Sequence, residues 1–290
     1  MSKDLEARVL EWLLTQGHPF ELQVAQLFRR LGWEVDHARA YSDPATQKTR
    51  QIDIVASLHR SVKPDEAGAS LHIVVECKKS TTPWVVFTAP RNVEYPSFES
   101  ETVADVISRD VLWQTVGSFH GTSILLQPVG GLGHGAVRVN FANKQHGAQP
   151  KEERTEAEYP PFVALQEVLS AARALGTENE YAWKQEHLDQ YLEIVVPIVV
   201  LDAPLFTFEL TPEGTSQLLE VDFVKMLVPK AQDYGVAVPI LTLKGLTKVL
   251  EADTPVFGDM CRWISEHNVK VRRALSQTHS TVDLSFLPHS

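Results

Sequence analysis

The chain has 290 residues, a formal net charge of −10, 43% hydrophobic and 22% charged residues, which is the composition of an ordinary folded protein and excludes collagen, a long coiled coil and wholesale disorder. Its longest apolar run, Ile194 to Leu201, spans eight residues with Pro197 inside it, far short of a bilayer span. Two cysteines, Cys77 and Cys261, cannot build a disulfide scaffold. The start places acids before its apolar residues and has no signal-peptide pattern. The expectation is a soluble cytoplasmic protein without a membrane partner.

Residues 4–16 space Leu5, Val9, Leu10, Leu13 and Leu14 as on a helix, and His18-Pro19 breaks the pattern. A second helix is predicted from Pro19, burying Phe20, Val24, Leu27, Phe28 and Leu31 and closed by Gly32. Trp33 to Ala40 reads as a strand, followed by turn chemistry at Ser42-Asp43-Pro44. Gln51 to Leu58 and Leu71 to Cys77 read as two further strands, with a polar loop from His59 to Ser70 between them. From 88 to 159 the pattern is less regular. A helix is predicted over 102–115, two short strands around a glycine turn over 124–141, and a solvated stretch over 151–158, where six of eight residues are ionisable. Pro161 to Leu175 predicts a helix stopped by Gly176, and Glu180 to Leu192 another. Ile194 to Leu201 predicts a strand covered on both faces. Further strands are expected at 206–210, 220–228 and 236–241, then two short helices at 243–251 and 257–266 and a tail at about 270–290.

The charge is uneven. Residues 1–100 carry 12 Lys/Arg against 13 Asp/Glu, whereas residues 101–290 carry 15 against 24. The global deficit argues against nucleic acid, but binding depends on local potential, and the first third is nearly neutral.

Chemistry concentrates in that third. Asp53 sits inside the apolar run Gln51-Ile52-Asp53-Ile54-Val55-Ala56, where a carboxylate needs partners. Glu76 and Lys78 close the strand Ile73-Val74-Val75-Glu76-Cys77-Lys78. Alternation puts Glu76 and Lys78 on one face and Cys77 on the other, so Cys77 reads as packing and not as a nucleophile. Two carboxylates and a main-chain carbonyl, that of Cys77, offer the hard oxygen ligands that Mg²⁺ takes while keeping several waters. Such a site suits phosphodiester hydrolysis, with Lys78 orienting water or stabilising charge on phosphate. Mn²⁺ is expected to substitute.

The run Arg50-Gln51-Ile52-Asp53-Ile54-Val55-Ala56, followed 23 residues after Asp53 by Glu76-Cys77-Lys78, resembles the core of the PD-(D/E)xK nuclease superfamily, and most closely its Mrr-like restriction-endonuclease branch. The helix Phe20-Glu21-Leu22-Gln23-Val24-Ala25 is similar to that branch's leading helix. Ile52 stands where the superfamily name has a proline. The resemblance implies Asp53 and Glu76 as metal ligands, Lys78 as the catalytic lysine and Glu21 as an accessory acid at the metal. It implies an α/β fold, a restriction-endonuclease-like mixed sheet flanked by helices, in a single domain over 1–290. The catalytic core would occupy about 17–87 and 160–250, with an insertion at about 88–159. The function it implies is Mg²⁺-dependent cleavage of DNA, by endonuclease more than exonuclease action, in defence against foreign DNA or in DNA processing.

Arg29, Arg30, Lys48, Arg50 and Lys79 are candidate phosphate contacts, each also readable as part of a solvated face. The glycine run at 128–135 lacks the Lys-Ser/Thr ending and following helix of a phosphate loop, and reads as a hairpin turn. Pro83-Trp84 reads as a packing anchor. Two other readings stay open: a catalytically silent nuclease-fold protein that binds a protein partner, and a nuclease acting on RNA. A homodimer would supply two active sites for double-strand cleavage.

Overall fold

The computed structural model describes residues 3–15, 17–60, 68–88, 133–139, 160–186, 191–211, 213–228 and 236–266. Helices α1 (Lys3–Thr15) and α2 (His18–Arg30) lead into strands β1 (Glu34–Ser42), β2 (Thr49–Arg60) and β3 (Gly68–Lys79). Strands β4 (Trp84–Thr88) and β5 (Gly133–Arg138) precede helix α3 (Pro160–Glu186). Strands β6 (Tyr191–Asp202), β7 (Leu205–Leu210), β8 (Ser216–Glu220), β9 (Phe223–Val228) and β10 (Val236–Thr242) run into helix α4 (Leu243–Glu266). Among the described residues ten strands form one mixed sheet in the order β1-β2-β3-β6-β10-β9-β5-β4-β7-β8. The fold is α/β, a mixed sheet flanked by helices. Among the described residues no helix is long and apolar enough to cross a membrane.

The sheet is apolar on both faces at its centre because helices cover both. On one face Ile54, Ala56, Ile73, Val75, Ile198 and Val200 pack against Phe20, Val24 and Phe28 of α2 and Leu246, Val249 and Leu250 of α4. On the other, Val55, Val74, Val195 and Val199 pack against Ala164, Leu165, Val168, Leu169 and Ala172 of α3. Strands buried on both sides read as continuous apolar runs, which is why β2, β3 and β6 stand out in the sequence.

Strands β3 and β6 run parallel from Gly68 opposite Tyr191 to Lys79 opposite Asp202. Both strands then turn and their continuations pair again as β4 and β7, from Trp84 opposite Leu205, with the Trp84 N–H donating to the Pro204 carbonyl at 3.0 Å. One two-stranded ribbon thus carries both halves of the sheet. Trp84 is only 1% exposed, the packing anchor expected of it.

Several expected breaks are absent. Gly176 does not stop α3, which continues to Glu186. A helical glycine costs only about 1 kcal/mol, and the buried face from Ala164 to Leu175 outweighs it. Tyr191 and Leu192, expected at the end of a separate helix, belong to β6. Residues 243–266 form one helix with Pro255 inside it, because Leu246, Val249 and Leu250 before the proline and Phe257, Met260 and Cys261 after it enter the same core. The expected strand at 220–228 is two strands, β8 and β9, separated at Val221-Asp222. The expected helix at 102–115, the charged stretch at 151–158 and the tail at about 270–290 lie outside the described residues.

The glycine run ends in a strand and not in a turn. Gly133 and Gly135 lie in β5, which pairs with β4 and touches β9 through Gly133 opposite Met226. The expected insertion therefore contributes a strand to the sheet. A Cβ at Gly133 would fall 2.1 Å from Val86 Cγ1, so only glycine lets β5 pass there. A tighter approach occurs at Gly245 in the first turn of α4, where a Cβ would lie 1.9 Å from the Asp222 carbonyl oxygen. That oxygen accepts from the Thr242 N–H at 3.0 Å, and Thr242 Oγ1 caps the helix by accepting from the Gly245 N–H at 3.1 Å. Gly245→Ala is expected to destabilise the protein by about 2 kcal/mol or more, since backbone cannot rotate out of the way. A shift of the urea midpoint at unchanged slope checks it.

Candidate functional site

The register of β2 and β3 sets the site. These strands pair antiparallel as far as Ile54 opposite Val75, so Asp53 and Glu76 are the next residues along each strand, on neighbouring positions of one face. The ladder opens there. The Cys77 N–H donates to Asp53 Oδ2 at 2.7 Å in place of a β2 carbonyl. A strand residue's N–H and C=O project to the same side, so the Cys77 carbonyl is directed toward the same opening. On the other side of β2, the pairs His37–Ile54 and Arg39–Ile52 flank Ala38, whose φ is +61°. An alanine in the left-handed region stores backbone strain of about 1 to 2 kcal/mol, and it lies across from Asp53.

Lys78, two residues past Glu76, turns its ammonium back to Glu76 Oε1 at 2.5 Å and across to Glu167 Oε2 of α3 at 3.1 Å. Glu167 was not singled out by the sequence; it is one acid on the polar side of a helix, 89 residues from its partner. Its position is fixed by a tether one turn along α3. Ser170 Oγ donates to Asp43 Oδ1 at 3.0 Å. Asp43, in the turn between β1 and β2, also accepts from Thr46 Oγ1 at 2.8 Å, the Ala45 N–H at 3.0 Å and Arg50 Nε at 2.7 Å. The Thr46 hydroxyl foremost, with the Ala45 N–H and the Ser170 hydroxyl, holds its carboxyl down at about 2 against burial.

Negative charge is in excess. Burial, reinforced by Asp53, pushes Glu76 up to about 7 although Lys78 opposes it. Asp53 is raised as well, chiefly by burial and further by Glu21 and Glu167, against the Cys77 N–H and Lys78. Burial works against the Lys78 charge, but Glu76 and Glu167 outweigh it and hold the ammonium above its ordinary pKa. Burial also drives the Cys77 thiol well up, and its side chain packs against the α2–α4 core, so it is no thiolate nucleophile.

Glu21 lies in the first turn of α2 and is buried. Its charge reaches Asp53, yet its direct partners are His18 Nδ1 at 3.2 Å and His37 Nε2 at 3.4 Å. Asp53, Glu76 and Lys78 are thus brought together as expected, with Glu21 beside Asp53. Arg29 and Arg30 are exposed at the end of α2, and Lys48 is exposed before β2. Arg50 is engaged by Asp43 as above, and Lys79 Nζ lies 3.7 Å from Asp202 Oδ2.

Among the described residues no group of three or more His, Cys, Asp or Glu side chains forms a ready cage for a metal ion. The donor set nonetheless suits a hard cation that keeps most of its water: two adjacent carboxylates, both raised chiefly by burial and further by neighbouring carboxylates, beside a carbonyl-bearing open edge. Asp53 and Glu76 would hold it. Asp53→Asn retains an oxygen for the Cys77 N–H, so the fold should persist while Mg²⁺ or Mn²⁺ affinity falls by on the order of tenfold or more. Equal affinity of mutant and wild type in calorimetric titration would remove Asp53 from the site. No protein-family model, no curated protein and no solved structure matches this chain.

Proposed function

We propose that the protein is a metal-dependent nuclease of restriction-endonuclease-like fold that hydrolyses phosphodiester bonds of DNA. The observation that carries this reading is the placement of Asp53 and Glu76 side by side on adjacent strands, with Glu21 and Glu167 nearby and the Lys78 ammonium next to them. A bound Mg²⁺ would supply Lewis acidity and a water of lowered pKa. Asp53, Glu76 and the Cys77 carbonyl would hold such an ion. Lys78 orients the attacking water and meets the charge that develops on the phosphoryl oxygens. Glu21, buried beside Asp53, adds negative charge to that carboxylate's surroundings. The test is nicking of supercoiled plasmid with Mg²⁺, with Mn²⁺ and with EDTA, run in parallel on single-stranded RNA. Metal-dependent nicking of the plasmid alone is the expected result, and RNA cleavage alone would reassign the substrate.

One observation favours a second reading, a nuclease fold that binds a protein partner without cutting. Two of the five cations expected on phosphate, Arg50 and Lys79, are engaged by Asp43 and Asp202, and residues 101–290 carry 15 Lys/Arg against 24 Asp/Glu. A DNA affinity that ignores ionic strength, or no DNA affinity, would support it, because phosphate binding is steeply salt-dependent.

A further inference from the structure

We infer that Glu167 is a positioning residue for Lys78: it keeps the ammonium over the phosphate site while Glu76 turns to the metal. This rests on the nuclease reading. Lys78 is shared by two carboxylates, Glu76 and Glu167. Glu76 cannot serve fully as a metal ligand while it also neutralises Lys78. Something else must then take the ammonium, or it follows Glu76 and opposes the cation. Glu167 is the residue in place to do so. It reaches Lys78 from a different layer of the fold, and the Ser170–Asp43 bond holds its helix against the β1–β2 turn independently of any metal.

Glu167 takes no part in the buried face of α3, which is built from Ala164, Leu165, Val168 and Leu169, and its side chain is about one-third exposed. Its replacement should therefore leave the fold intact, which unchanged thermal melting verifies. The full-length chain is titrated with Mn²⁺ by calorimetry and assayed for plasmid nicking, as wild type, Glu167→Ala, Glu167→Gln, Lys78→Ala and the double variant. Glu167→Ala is expected to weaken metal affinity roughly tenfold, because Lys78 then pairs with Glu76 alone, and to slow nicking by at least that factor. Glu167→Gln, which keeps an oxygen acceptor for the ammonium, should recover part of both. In the Lys78→Ala background, Glu167→Ala should change neither quantity further.

Wild-type affinity and rate in Glu167→Ala, with Lys78→Ala slow, overturn the role of Glu167 and leave the nuclease reading standing. Full additivity of the two substitutions overturns it as well, since Glu167 would then act independently of Lys78. Absence of metal-dependent nicking by the wild type overturns the nuclease reading and this inference with it.

Discussion

Replacing Lys78 by alanine is expected to slow metal-dependent cleavage by on the order of 10²-fold or more while leaving metal affinity intact or improved. The ammonium sits directly against Glu76 Oε1, so it competes with a cation for that carboxylate. Without the lysine that competition disappears. Substrate affinity should fall only modestly, since one phosphate contact among several is lost. The rate suffers because a positioned charge, fixed before the reaction begins, is lost where negative charge develops. Lys244→Ala, which removes a surface lysine paired with Asp222 at 2.9 Å, serves as the control. If Lys78→Ala nicks plasmid as fast as wild type at the same metal concentration, the proposed mechanism is wrong.

The second large effect is a dependence of stability on pH in the absence of metal. Glu76 has a folded-state pKa of about 7 against an ordinary 4.5. A carboxyl with a raised folded pKa binds its proton more tightly when folded, so its contribution is complete below about pH 4.5 and is lost as pH rises through 7. The loss is on the order of 2 to 3 kcal/mol, with Asp53 adding in the same direction. With EDTA present, urea denaturation should therefore give wild-type protein that weakens from pH 5 to pH 8. Glu76→Gln, which has no proton to lose, should flatten that slope and be the more stable protein at pH 8. Added Mg²⁺ should restore the wild type above pH 7 by binding the native state. Parallel pH profiles for mutant and wild type in EDTA would show that Glu76 does not carry this strain.

Much of the site was legible in the sequence because strands covered on both faces tolerate few polar residues. Asp53 within Ile52-Asp53-Ile54 and Glu76 after Val74-Val75 are conspicuous for that reason, and strand alternation alone puts Lys78 with Glu76. What was hidden depends on long-range geometry. Glu167 looks like any solvated helix residue until α3 is laid across β3. The left-handed Ala38 carries no mark at all, since alanine has no preference for that conformation and only the strands around Asp53 impose it. The sequence pattern breaks the helices at 160–186 and 243–266 because Gly176 and Pro255 are local penalties, whereas the buried faces that override them are tertiary. The glycines of β5 suggest a turn, a conformation glycine favours, but here they serve a strand whose neighbours leave no room for a Cβ at Gly133.

The placement of β3 bears on how the chain is made. This strand carries Glu76 and Lys78 and lies between β2 and β6, but β6 begins at Tyr191, more than a hundred residues after β3 ends. During synthesis β3 therefore emerges long before its second neighbour and exposes an apolar, unpaired edge of the kind that recruits other strands. Glu167 and the rest of α3 are also still to come. A ribosome-bound fragment ending before Pro160 has both carboxylates but neither β6 nor the helix that meets Lys78. The sheet is therefore completed late, once α3 and β6 have been made, and fragments cut short of that point should be insoluble.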